Sequence, residues 1–121
     1  MRIALEGKTA WITGAGSGIG RAAAIALAEA GVRVALSGRR SEPLEETLAA
    51  VQDRNGEGIV VPINVTDSDA VLAGAERIRV ELGDVDILVN SAGINLTKRR
   101  YSEMKMGDWQ LVIDANLNGA Y

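Results

Sequence analysis

The residues best suited to chemistry stand near the amino end, in the run Thr13-Gly14-Ala15-Gly16-Ser17-Gly18-Ile19-Gly20. Gly14, Gly18 and Gly20 fit the spacing TGxxxGxG. The GxGxxG spacing fails in both registers, because its last position falls on Ile19 counted from Gly14 and on Arg21 counted from Gly16. Glycine at such positions permits a tight turn, lets the backbone approach a pyrophosphate, and lets the next helix pack close to the preceding strand. The helix start then offers unpaired N–H groups and a positive dipole end to phosphate oxygens. The same residues would also serve as a strand-to-helix turn that binds nothing. Their place after an apolar strand and before an Ala-rich helix favours a nucleotide. A Walker A loop is excluded, because no Gly-Lys-Ser/Thr follows.

Other chemistries are removed by what the chain lacks. It has no Cys, so disulfides, thiolate nucleophiles and thiolate-held metals are out. It has no His, which removes a Ser-His-acid triad and His-ligated zinc. No acidic spacing resembles a twelve-residue calcium loop, and no metal is expected. A net charge of −3 argues against a nucleic-acid partner. No apolar run is long enough to cross a bilayer, so no membrane association is expected. The first residues, MRIALEGKTAWITG, lack the layout of a signal peptide, and the expected location is cytoplasmic.

The elements that position the glycine run alternate strand and helix. Lys8 to Thr13 reads as a buried strand, Gly14 to Gly20 as a turn, and Arg21 to Ala30 as a helix stopped by Gly31. Val32 to Leu36 is the second strand. Ser41 can cap a helix running to about Arg54, with Leu44, Leu48 and Val51 on one face. Ile59 to Ile63 is the third strand, whose Pro62 suits a strand end or a sheet edge. Thr66-Asp67-Ser68-Asp69 resembles a capping box. The helix behind it carries Val71, Ala75, Ile78 and Leu82 on one stripe and stops at Gly83. Val85 to Val89 is the fourth strand. A basic loop follows, and Asp108 caps a last helix with Trp109, Val112, Ile113 and Asn116 on one face. With 121 residues, 47% of them apolar, the chain reads as one domain. Short β-α connections imply a three-layer α/β Rossmann fold, a parallel sheet in the order 3-2-1-4 with helices on both faces, and the chain is expected to stop before a fifth strand.

Four segments in register then resemble the short-chain dehydrogenase/reductase family, in particular members of the 3-oxoacyl-thioester reductase kind. TGAGSGIG matches that family's glycine motif. Asn64-Val65-Thr66-Asp67 resembles its D/N-V-T-D segment along the adenine ring. Asn90-Ser91-Ala92-Gly93 resembles NNAG, with Ser in place of the second Asn. Asn116-Leu117-Asn118-Gly119 resembles NLxG, whose Asn belongs to a catalytic tetrad. The resemblance runs from about Leu5 to Tyr121. It implies cofactor contacts from Gly14, Ser17, Gly18, Ile19, Gly20, Asn64, Val65, Asn90, Ala92 and Gly93, and a catalytic role for Asn116. Each Asn also has a structural alternative, as a loop cap or a buried amide satisfied by backbone.

An NAD-specific site usually places Asp or Glu at the end of the second strand, about 20 residues after the glycine turn. Here Gly38 takes that position, followed by Arg39 and Arg40. A guanidinium forks onto a phosphate, and the missing acid removes a repulsion of the 2′-phosphate. NADP(H) is therefore the favoured cofactor and NAD(H) the alternative. Against this, Ser17 stands where many NADP-dependent relatives carry a basic residue, and Arg39 and Arg40 could be a solvated pair.

The resemblance implies a carbonyl or alcohol as the small-molecule substrate, with an acyl thioester, a sugar, a steroid and a simple ketone all open. It also implies a catalytic Ser and a Tyr-x-x-x-Lys beyond the NLxG segment, where this chain has no residues. Tyr101-Ser102-Glu103-Met104-Lys105 spells YxxxK, but it precedes Asn116 and reads as surface. Binding rather than turnover is expected of such a fragment. A non-catalytic nucleotide-binding module and a half completed by another chain are the alternatives. The apolar fourth strand would form an open edge, so a homo-oligomer or self-association through that edge and the last helix is expected.

Overall fold

A computed structural model of the chain describes residues 4–92. Its elements run β1 (Thr9–Thr13), α1 (Gly18–Glu29), β2 (Arg33–Ser37), α2 (Ser41–Gln52), β3 (Gly58–Val60), α3 (Ser68–Glu81) and β4 (Ile87–Asn90). The sheet is parallel in the order β3-β2-β1-β4. β1 is thus flanked on both sides, with Ile12 opposite Leu36 of β2 and Val89 of β4.

The period of two along each strand sorts side chains between two faces. Ala10, Ile12, Val34, Leu36 and Val60 pack with Ala24, Ala28, Leu44 and Val51 from α1 and α2. Trp11, Ala35 and Val61 point the other way, onto Ile78 and Leu82 from the α3 side. Both faces are apolar because both are covered, as parallel sheets require. Truncating a fully buried residue such as Ile12 or Leu36 to Ala would cost about 2–5 kcal/mol. The α3 face also holds polar groups in closed pairs. The Trp11 indole N–H donates to Ser37 Oγ at 2.8 Å, and Ser37 Oγ donates to the Val61 carbonyl at 2.7 Å.

Element boundaries differ from the sequence reading by a few residues in most elements, and four of the differences carry a reason. α1 begins at Gly18 rather than Arg21, with Ser17 at its N-cap, so the low helix propensity of glycine is overridden by packing. α2 has Arg40, not Ser41, at its N-cap, and no side chain closes that end. α3 is capped by Asp67, whose carboxylate accepts the Ala70 N–H at 3.1 Å; Thr66 binds Asn64 instead. β4 begins at Ile87 rather than Val85; just before it Asp86 meets Thr9 twice, its N–H donating to the Thr9 carbonyl at 2.9 Å and its carboxylate accepting the Thr9 N–H at 3.0 Å.

β3 ends at Val60, yet Val61 and Ile63 still donate to Leu36 and Gly38 of the neighbouring chain segment at 2.8 and 3.0 Å. Pro62 lies between these two donors, so its ring nitrogen faces the outer edge, where no ladder bond is needed. The predicted last helix with Asn116, the motif residue Gly93, and the Tyr101 to Lys105 segment lie outside the described residues.

Candidate functional site

The carboxyl ends of β1, β2 and β4 lie side by side, and the turn after β1 is built where they meet. Gly14 has φ +64°, a left-handed conformation, and a Cβ added there would lie 2.6 Å from the Ser91 carbonyl oxygen. A Cβ on Gly20 would lie 2.1 Å from the Gly14 carbonyl oxygen, so the first turn of α1 rests directly on the backbone it follows. Between them, Ala15 is pinned at both polar atoms. Its N–H donates to Ser37 O at 3.0 Å, and its carbonyl accepts from Thr47 Oγ1 of α2 at 2.8 Å.

At the head of α1 the Ser17 side chain makes no capping bond, and the first turn carries no acidic residue. The first N–H groups of a helix have no partner within it. Here they and the positive end of the dipole face the cleft bordered by Ser17, Gly18 and Ile19. A Cβ on Gly18 would meet nothing within 4 Å, so that side is open to a ligand's approach. Such a cradle fits the pyrophosphate of a dinucleotide.

The opposite wall follows β4 and is tied to β1 through one hydroxyl. Thr13 Oγ1 accepts the N–H groups of Ser91 and Ala92, each at 3.2 Å, and donates to Asn90 Oδ1 at 3.0 Å. A cleft of about 350 Å³ opens between this wall and the glycine turn, with Gly38, Ile63 and Val65 along its far side. A second hollow of about 590 Å³ shares Ser17, Gly38 and Arg39 with it and extends to Arg40, Pro43 and Glu46. Arg39 and Arg40 are exposed, and among the described residues no carboxylate pairs with either. The Arg79 guanidinium holds the Glu76 carboxyl below its ordinary pKa, but that pair lies on exposed α3 and borders neither hollow.

A model of the family described as short chain dehydrogenase matches residues 8–121. The chain belongs to the short chain dehydrogenase family. A 3beta-hydroxysteroid dehydrogenase from Mediterraneibacter gnavus is 40% identical over 110 residues, covering 91% of this chain and 40% of that protein. The 3-oxoacyl-[acyl-carrier-protein] reductase FabG of Escherichia coli is 42% identical over 119 residues, covering 96% of this chain and 46% of that protein. This short chain dehydrogenase sequence therefore spans less than half the length of these relatives. Among solved structures, a short-chain type dehydrogenase/reductase from Mycobacterium marinum superposes with a TM-score of 0.91 at 35% identity, covering 96% of this chain and 47% of that one. A xylitol dehydrogenase solved with bound NAD+ superposes with a TM-score of 0.91 at 32% identity, covering 96% of this chain and 45% of that one.

In this short chain dehydrogenase most of the residues singled out by sequence converge. Gly14, Ser17, Gly18, Ile19, Arg39, Val65 and Ala92 border the first cleft, and Arg40 borders the second hollow. Ile19 is 80% exposed there. Gly20 lies behind the cradle and shapes it. Asn64 does not border either hollow; its Oδ1 accepts the Thr66 N–H at 3.0 Å and the Thr66 hydroxyl at 2.7 Å, the loop-capping alternative. Asn90 is engaged by Thr13 rather than lining the cleft. Gly93 and Asn116 lie outside the described residues. Sequence reasoning missed Thr13, Ile63 and Ser91 as parts of the site. Thr13 was legible as the first letter of TGxxxGxG, and Ile63 as the last residue of the third strand run.

Proposed function

We propose that this chain is the cofactor-binding part of an NADP(H)-dependent reductase or dehydrogenase of small carbonyl and alcohol substrates. The observation that carries the cofactor preference is Arg39, exposed, unpaired among the described residues, and bordering both hollows directly after Gly38. No acid stands at the end of β2 to hold a ribose 2′-hydroxyl or repel a 2′-phosphate.

When bound, the nicotinamide cofactor supplies or accepts a hydride. The chain's own residues bind and orient it. The α1 N-terminus and the backbone around Gly14 and Gly18 receive the pyrophosphate. Arg39 and Arg40 fork onto the 2′-phosphate. Ile63 and Val65 offer an apolar wall to the adenine, and Ala92 and Ile19 border the path toward the nicotinamide. Of the family's catalytic set, Asn116 is assigned to this chain on the resemblance of its segment to NLxG.

Parallel titrations of the purified protein with NADPH and NADH, followed by cofactor fluorescence, test the proposal. Tighter binding of NADPH is expected, and equal or reversed affinities reject the preference. NAD(H) is kept as the second reading, because Ser17 gives the cleft no further cation and the xylitol dehydrogenase that shares the fold was solved with NAD+. Self-association at the β4 side of the sheet belongs to the same proposal, supported by Leu88, 59% exposed on the sheet face it shares with Trp11. Sedimentation across a concentration series tests it, a monomer throughout being the refuting result.

A further inference from the structure

Helix α2 reaches the glycine turn at one buried point. Thr47 is fully buried, and its Oγ1 lies 2.8 Å from the carbonyl oxygen of Ala15, 32 residues earlier. The same oxygen lies 3.1 Å from the carbonyl of Pro43, one turn back in its own helix. Bonding back to the preceding turn is the ordinary fate of a helical threonine hydroxyl. A hydroxyl has a single proton to donate, and here the shorter contact leaves the helix.

Ala15 is itself fully buried, so no water stands ready to replace the hydroxyl at its carbonyl. A second contact, independent of this bond, presses the same two segments together: a Cβ on Gly16 would lie 2.8 Å from Pro43 Cβ. With the Ala15 N–H held by Ser37 O on the other side, the residue that leads into Ser17 and Gly18 has no freedom at either polar atom.

We propose that Thr47 is a positioning residue for cofactor binding, fixing the pyrophosphate cradle by holding the Ala15 carbonyl from α2. The inference rests on the cofactor reading above. Thr47 touches neither hollow and acts only through Ala15.

The test compares the protein with its Thr47→Val and Thr47→Ser variants. Valine keeps the shape and removes the donor; serine keeps the donor. In the free protein, amide exchange at Ala15 is measured against Ala35 of β2, which reports global opening. Thr47→Val is expected to speed Ala15 exchange beyond any change at Ala35, and Thr47→Ser to restore it. Binding is then read with two probes. NADPH spans the cradle, whereas adenosine 2′-monophosphate lacks a pyrophosphate. Loss of one hydrogen bond predicts a roughly fivefold to tenfold weaker NADPH Kd in Thr47→Val, with adenosine 2′-monophosphate within about twofold and both restored by serine. The proposal is overturned if folded Thr47→Val binds NADPH like the parent, if both probes weaken alike, or if Ala15 exchange rises no more than Ala35. If the parent protein fails to bind NADPH, the cofactor reading falls, while the exchange comparison still decides whether Thr47 holds the turn.

Discussion

Gly14 and Ser91 touch so closely that the smallest side chain would not fit between them, a Cβ on Gly14 falling 2.6 Å from the Ser91 carbonyl oxygen. The turn after β1 and the segment after β4 thus share one van der Waals surface. Gly14→Ala meets backbone on one side and an unfavourable left-handed φ of +64° on the other. We expect a loss of about 1–3 kcal/mol in chemical denaturation, and loss of NADPH binding from the protein that remains folded. Wild-type binding in Gly14→Ala would show that the two walls move independently.

Thr13 joins the same two segments through polar contacts. Replacing its hydroxyl with a methyl group in Thr13→Val strands the N–H groups of Ser91 and Ala92, which both donate to it. The expected cost is roughly 1–3 kcal/mol, recovered largely in Thr13→Ser. Equal stability of the valine and serine variants would mean that solvent satisfies those donors.

On the α3 face of the sheet, Ser37→Ala should remove a buried hydroxyl that two groups share. The Trp11 indole N–H and the Val61 carbonyl then lose their bonds. A destabilisation of about 1–3 kcal/mol is expected, with a shift in the emission of Trp11 in the folded state. The second tryptophan, Trp109, is replaced by Phe in the background used for the fluorescence comparison. An unchanged emission maximum would show that Trp11 keeps a polar partner.

In the proposed reading, Arg39 sets the preference between the two nicotinamide cofactors. Arg39→Asp places an acid directly after Gly38, just beyond β2, and removes the guanidinium fork. NADPH affinity should fall by at least about tenfold, while NADH affinity holds or rises, reversing their order in direct titration. A ratio that barely moves would assign Arg39 to the solvated surface.

Much of this was legible in the sequence because the signals were backbone rules. Alternating apolar runs gave the strands, and TGxxxGxG gave the turn. Right-handed crossovers gave the sheet order, observed as β3-β2-β1-β4. The boundaries were harder. Gly18 to Gly20 read as turn because glycine disfavours helix, yet close packing on Gly14 selects glycine at Gly20 within α1, and a φ of +55° selects it at Gly18. Asp86 read as strand, yet of its two bonds to Thr9 one comes from the backbone N–H and the other from the carboxylate, which no apolar pattern shows. Thr13, Thr47 and Asn64 depend on which of several nearby groups a short polar side chain chooses. That choice is set by tertiary distances, which no local pattern encodes.

The pairing of β1 with β4 also sets an order of events during synthesis. Thr13 and Asn90 are 77 residues apart, yet their bond ties β1 to the segment that carries Ser91 and Ala92 to the cleft. β1, β2 and the glycine turn leave the ribosome long before their partner exists. Until Ala92 has emerged, β1 has one open flank and the turn has no opposite wall. Closing so long a loop is slow relative to forming the helices. A nascent chain ending in α3 would therefore carry the glycine motif complete in letters but without Ser91 and Ala92, the surface it closes against.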